Sequence, residues 1–348
     1  MFPTRRAFLA TGLAPTVSPA DEPRPVAANL GLVLYSYGIR ARAEGAGFTD
    51  PASFITLARE RGASAVQVPL GRRTDAAVAS IRRAAEAAGV AVEGMVTLPP
   101  DTVAGRDQFA SELETARACG AEVVRAVLMA GRRYDLFSRA DEYVMFARTA
   151  KASLERAEPI LRTAGVKLAV ENHKDFRADE LLGLLRGLAS PWVGVCIDTG
   201  NNLALLEDPA ATIAALAPFA FTVHLKDMAL EECPEGFRLA EVPLGQGVLD
   251  LPGVVAALRK GNPRLRFQLE MITRDPLPVP CLTERYWATL DRVPGRDLAR
   301  TLALVRRSAP KEPLPRFSQL PLAQQVAAEE RHVRESFAFA ARTRLLAG

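Results

Sequence analysis

Apolar residues fall along this chain in two alternating rhythms. Short runs rich in Val, Leu and Phe occur at 31–35, 64–68, 90–96, 122–128, 167–171, 192–198, 220–225 and 265–270. Several are apolar at consecutive positions, as strands buried on both faces require. Between them lie stretches such as DPASFITLARERG and DAAVASIRRAAEAAG, with apolar residues at three- and four-residue spacing. Many of these open on Asp and close on Gly, the usual helix start and stop signals. Eight strands, each followed by a helix over roughly 280 residues, predict an α/β fold with a parallel sheet, in number and length a (β/α)8 TIM barrel. The barrel is expected over 27–307. An open doubly wound sheet is the alternative, but LYSYGIRARAEGAG after the first strand is not its G-x-G-x-x-G phosphate loop. Residues 308–348 begin APKEPLPRF and end in an Ala-, Arg- and Glu-rich helical stretch, 321–347. They are expected as an extra C-terminal helical segment, either a packed appendage or an oligomer contact.

Polar residues collect where the last four strands stop. LAVENHKDF places Glu171 at one strand end, VGVCIDTGN places Asp198, FTVHLKD places His224 and FQLEM places Glu270. The first three lie one β/α unit apart, at 27 and 26 residues; the last interval is 46 because KDMALEECPEGFRLAEVPLGQGVLD inserts what reads as a long loop. In a closed barrel these ends meet on the C-terminal rim, where such barrels carry their chemistry. Three carboxylates and an imidazole brought together repel one another unless a cation is bound. Carboxylate oxygens with one imidazole nitrogen and no thiol suit one divalent ion, Mn²⁺, Mg²⁺, Co²⁺ or Zn²⁺. Asn201, Lys226, Asp227 and Arg274 follow these ends closely and are rim candidates for holding substrate, with Gly200 shaping a turn. Tyr35, Tyr37 and Gln67, at the ends of the first two strands, are candidate pocket residues. His332, in the C-terminal helix, reads as solvated, and no G-x-S-x-G elbow supports a serine nucleophile.

Taken together, VENH, CIDTGN, VHLKD, VPLGQGVLDLPGVVAAL and the final LE resemble the xylose-isomerase-like TIM barrel superfamily of sugar isomerases and epimerases, over about residues 30–305. The resemblance implies that Glu171, Asp198, His224 and Glu270 hold one divalent metal, and that Glu171 and Glu270 also act as an acid/base pair. His173 matches a position that contacts substrate or supports the ligands. The implied reaction is isomerisation or epimerisation of a ketose or related sugar by proton transfer through an enediolate. A metal-dependent decarboxylase or lyase of an oxo-sugar acid is the alternative, because LEMITRDPLPVPCLTERYW departs from the compact epimerase ending. An apurinic endonuclease fits poorly with three histidines in the whole chain, and a non-catalytic sugar-binding role leaves the ligand set without a purpose.

Composition changes little in this picture. The 348 residues are 49% hydrophobic and 24% charged, a globular balance. Six lysines and 38 arginines are scattered without a basic block, which points to a solvated surface and to no nucleic-acid partner. No apolar run approaches the ~20 residues needed to span a membrane. The partner expected is a small sugar or sugar acid, with a homo-oligomer open. Four cysteines lie far apart with no CxxC spacing. The N-terminus, TRRAFLATGLAPTVSPA, pairs Arg5 with Arg6 before Phe8 and Leu9 and closes on Ser18-Pro19-Ala20. It resembles a twin-arginine export signal, so residues 1–26 are set apart from the fold and a periplasmic location is expected, or a cytoplasmic one without the signal.

Overall fold

The computed structural model describes residues 29–347. The twin-arginine segment lies outside them. Eight parallel strands close into a barrel: β1 (Leu30–Val33), β2 (Ala65–Pro69), β3 (Ala91–Met95), β4 (Val123–Ala126), β5 (Lys167–Glu171), β6 (Val193–Asp198), β7 (Ala220–Leu225) and, after an intervening hairpin, β10 (Arg266–Leu269). Neighbours follow chain order around the ring, and β10 closes it between β7 and β1. Helix starts are set by side-chain caps: Asp50, Thr74, Thr102, Asp208 and Asp250 each accept a backbone N–H three residues on. Gly89 and Gly165 end two helices in the left-handed conformation, at φ 63° and 67°. Among the described residues no helix is long and apolar enough to cross a membrane.

The insertion after His224 is structured, where the sequence suggests a loop. β8 (Asp227–Cys233) and β9 (Gly236–Val242) form an antiparallel hairpin, and β11 (Leu277–Val279) joins β9. Inward Leu230, Phe237, Leu239 and Val279 build a second apolar cluster with Leu203, Tyr286 and Val305. The charges interleaved on the other face hide this alternation in the sequence. Asp227 anchors the hairpin to the barrel: its carboxylate accepts backbone N–H groups of Met228, Gly245, Gly247 and Leu249 at 2.9–3.1 Å. Gly247 lies so close to this carboxylate that a side chain would overlap it.

The C-terminal helix Leu322–Arg342 packs on the barrel, with Val333, Phe337 and Ala340 in the main core. Glu329 accepts the N–H groups of Ile39 and Arg40 at 2.7 and 3.0 Å, and the Tyr37 hydroxyl donates to Glu330 at 2.9 Å. Tyr37 is therefore committed to this helix rather than to a pocket. His332 is not solvated either. It is buried, with Nδ1 2.9 Å from the Thr273 hydroxyl and the Phe317 ring set edge-on.

Candidate active site

The ends of β5, β6, β7 and β10 bring Glu171, Asp198, His224 and Glu270 together. Strand register does this: Asp198 lies beside His224, and His224 beside Gln268, two residues before Glu270. One ligand atom from each of the four lies within 4.8 Å of the other three, and all four residues are buried. His224 Nδ1 is 3.3 Å from Glu171 Oε2 and 3.3 Å from Glu270 Oε2. Asp198 Oδ1 is spent on the N–H groups of Gly200 and Asn201, at 2.9 and 2.8 Å. Its other oxygen has the Lys226 ammonium at 3.0 Å, and His224 Nδ1 has no hydrogen-bond partner. Buried polar atoms left without partners are costly. One such atom, His224 Nδ1, set among three carboxylates fits a divalent cation in both charge and donor type.

The rest of the site fixes these donors. Gln67 Oε1 lies 2.7 Å from His224 Nε2, and Gln67 Nε2 donates to Glu93 at 3.1 Å. A carboxamide oxygen only accepts, so Nε2 carries a hydrogen and Nδ1 is the nitrogen turned to the cluster. There, despite burial, Glu270 and Glu171 hold the imidazole well above its ordinary value, and a bound metal would take the place of the Nδ1 proton. Arg125, from inside β4, donates through Nε to Glu171 Oε2 at 2.5 Å and also pairs with it through Nη2. Asn201 Nδ2 donates to Glu171 Oε1 at 3.0 Å. Burial would raise the Glu171 carboxyl, but the Arg125 guanidinium and His224 hold it below the usual carboxylate value. For Glu270 burial is likewise overcome, here by His224 and Lys226, and the carboxyl stays well below its ordinary value. Asn172 ties the ends of β5 and β6 together, accepting from Asp198 N at 2.8 Å and donating to Asp198 O at 2.9 Å.

A cationic ring surrounds the carboxylates. Lys226 Nζ lies 2.6 Å from Glu270, 3.0 Å from Asp198 and 3.6 Å from Glu241. Arg274 forks onto Glu241, which β9 delivers to the site. Lys174 donates to Asn201 Oδ1. His173 stands among Lys174, Glu171, Lys226 and Arg125, its Nδ1 buried and unpartnered. Burial, then the Lys174 charge, pushes its imidazole down to about 3, so it is neutral near pH 7. Tyr35 is 44% exposed and lies beneath the Arg125 guanidinium, 5.6 Å from ring centroid to Cζ.

Sequence reasoning missed Arg125, Lys174, Glu93 and Glu241. A charge inside the apolar run EVVRAVL was the available signal for Arg125, and the unbroken polar run after Val170 for Lys174. Glu241 had none, because its position depends on the hairpin.

The family model for the xylose isomerase-like TIM barrel matches residues 55–290. The chain belongs to this family, and its rim carries an active site of the metal-dependent type. Over 112 residues it is 30% identical to 3-oxo-isoapionate decarboxylase of Pectobacterium atrosepticum, covering 32% of this chain and 41% of that enzyme. Over 88 residues it is 38% identical to a putative L-ribulose-5-phosphate 3-epimerase of Escherichia coli, covering 25% of this chain and 30% of that one. The matches thus span less than half of either relative. The crystal structure of a xylose isomerase-like TIM barrel protein from Mycobacterium smegmatis in complex with magnesium shares the fold, with TM-score 0.54 and 17% identity over 79% of this chain and 97% of that one.

Proposed function

We propose that the protein is a divalent-metal-dependent enzyme that moves a proton at the carbon beside the carbonyl of a small open-chain sugar or sugar acid, as an isomerase or epimerase does. The observation that carries this reading is the buried cluster of three carboxylates and one imidazole, in which Glu270 has the Lys226 ammonium at 2.6 Å. A divalent ion held by Glu171, Asp198, His224 and Glu270, of the Mn²⁺, Mg²⁺, Co²⁺ or Zn²⁺ group, supplies Lewis acidity to adjacent carbonyl and hydroxyl oxygens. Glu270 takes the carbon-bound proton, and Glu171 serves the opposite face. His173, Asn201, Lys226 and Arg274 line the approach and orient the substrate.

One observation favours a second reading. Both oxygens of Glu171 are engaged, by Arg125 and Asn201, which makes it a weak second base. A decarboxylase of an oxo-sugar acid needs one proton rather than two. Loss of CO₂ leaves the bonding pair as the enolate of the neighbouring carbonyl, and a single proton completes the product. The match to a decarboxylase, although partial, supports this reading as well. Proton NMR in D₂O with ketoses and oxo-sugar acids separates the two. Deuterium at one carbon with inverted configuration marks epimerisation, and released CO₂ marks decarboxylation. Neither signal with Mn²⁺-loaded protein across such a panel would refute both.

We also propose that the protein reaches the periplasm through its twin-arginine segment, a route that carries folded, metal-loaded enzymes. Replacing Arg5 and Arg6 by Lys should retain it in the cytoplasm. Unchanged fractionation would reject the assignment.

A further inference from the structure

The carboxylates of this site are shared unevenly among its cationic side chains. Arg125 pairs with Glu171, Arg274 with Glu241, and Lys226 with Asp198 and Glu270, while Lys174 meets only the Asn201 amide oxygen. A divalent ion on Glu171, Asp198, His224 and Glu270 would add positive charge to this buried volume.

Its effect has a definite location. Arg274 remains forked onto Glu241, and Arg125 remains on Glu171. Lys226 is different, because its two nearest partners, Asp198 and Glu270, are both metal ligands. An ion on those carboxylates takes up the charge that now holds the Lys226 ammonium, leaving it only Glu241 at 3.6 Å, which Arg274 already occupies. Among the described residues Lys174 has no carboxylate partner. Its ammonium is buried at 2% exposure and meets one neutral amide oxygen. The two ammonium groups converge on the end of β6: Asn201, whose Oδ1 accepts from Lys174, donates its backbone N–H to Asp198 Oδ1, and Lys226 Nζ lies 3.0 Å from Asp198 Oδ2. A buried cation without a counter-charge is strongly unfavourable.

We propose that Lys174 and Lys226 together form the binding site for an anionic group of the substrate, a carboxylate or a phosphate ester, and that metal loading creates this site by releasing Lys226. The inference rests on the metal-dependent reading above and narrows its substrate class to charged sugars. It also orders the binding events. Metal binds first, and the anionic substrate follows.

Calorimetric titration of the full chain tests this without any turnover. Three matched probes, erythritol, D-erythronate and D-erythritol 4-phosphate, are titrated into metal-free and Mn²⁺-loaded protein. At least one anion should bind the loaded protein about 10–100-fold more tightly than erythritol, the range expected for hydrogen bonds to charged groups. The metal-free protein should show little such preference. Whether erythronate or the phosphate binds more tightly identifies the group. Lys174→Met should lose the preference while keeping Mn²⁺ affinity, whereas Lys226→Met should bind Mn²⁺ more tightly because the competing ammonium is gone. Equal binding of all three probes to loaded wild-type protein overturns this inference and leaves the metal site standing. Failure of wild-type protein to bind Mn²⁺ overturns both.

Discussion

The two halves of the barrel use the same strand geometry to different ends. β1 to β4 stop on Val33, Pro69, Met95 and Ala126. Their polar residues, Gln67, Glu93 and Arg125, stand within the strands and point at groups of the other half. β5, β6, β7 and β10 place their polar residues at or beside the strand ends, and those residues form the cluster that could hold a metal ion. One arc supplies the donors, and the facing arc sets their tautomer and charge. Outer partners of this kind tune a metal site without touching the ion. The division predicts that damage to the ligand arc abolishes chemistry and that damage to the supporting arc weakens it by degrees.

The largest effect should come from Glu270→Gln. The amide keeps the shape and one oxygen ligand but cannot accept a proton from carbon. Loss of a general base costs ~10²–10⁴ in rate, so turnover at saturating metal should fall by that factor while metal binding falls moderately. Near-normal turnover would reduce Glu270 to a ligand and remove the proton-transfer mechanism. Next comes Arg125→Met, on the supporting arc. Removing one partner of a buried ion pair typically costs about 3–5 kcal/mol, and here it leaves Glu171 uncompensated. Saturating Mn²⁺ should restore much of that loss, because the ion neutralises the same carboxylate. Denaturant melts with and without metal measure this. An equal loss in both would uncouple Arg125 from the metal site.

A smaller effect is expected from Gln67→Leu, which frees His224 Nε2 and lets the imidazole rotate or change tautomer. Loss of such an outer partner costs about 10–100-fold in metal affinity, measured by competition with a chelator. Affinity unchanged within twofold would mean that strand packing alone orients His224.

The same contrast explains what is legible in the chain alone. The ligand arc can be read because strand ends are marked twice, by the stop of an apolar run and by the polar residue that stops it. Glu171, Asp198 and His224 recur at one-unit spacing, and periodicity of that kind survives without knowledge of any contact. Arg125 sits in mid-strand, and its role exists only because β4 neighbours β5 and turns Ala126 beside Val170. Glu241 needs the hairpin. In sequence that hairpin reads as a loop because its charged face dilutes the alternation of Met228, Leu230, Phe237 and Leu239. His332 reads as solvated because a lone histidine in an Ala- and Glu-rich helix shows nothing of Phe317 or Thr273, which meet it from other segments.

His332 also sharpens the comparison at the seam where the two arcs close. The C-terminal helix holds the segment after β1 through Tyr37, Ile39 and Arg40, and the segment after β10 through Thr273. Burial, then the nearby Arg331 charge, lowers the His332 imidazole from 6.5 to about 4. The unfolded chain therefore binds this proton first as pH falls, and the folded state loses stability between about pH 6.5 and 4. A pKa that differs by one between folded and unfolded chain corresponds to about 1.36 kcal/mol, so the group should account for a loss on the order of 1–3 kcal/mol. Glu335, on the same helix, partly offsets this lowering. His332→Gln cannot titrate but keeps a polar partner for Thr273. Unfolding free energies at pH 7 and pH 4.5 should therefore fall further in wild type than in the variant, because carboxylates elsewhere contribute equally to both. Identical pH slopes would show that the seam takes up a proton freely and that His332 adds nothing to the closure of the two halves.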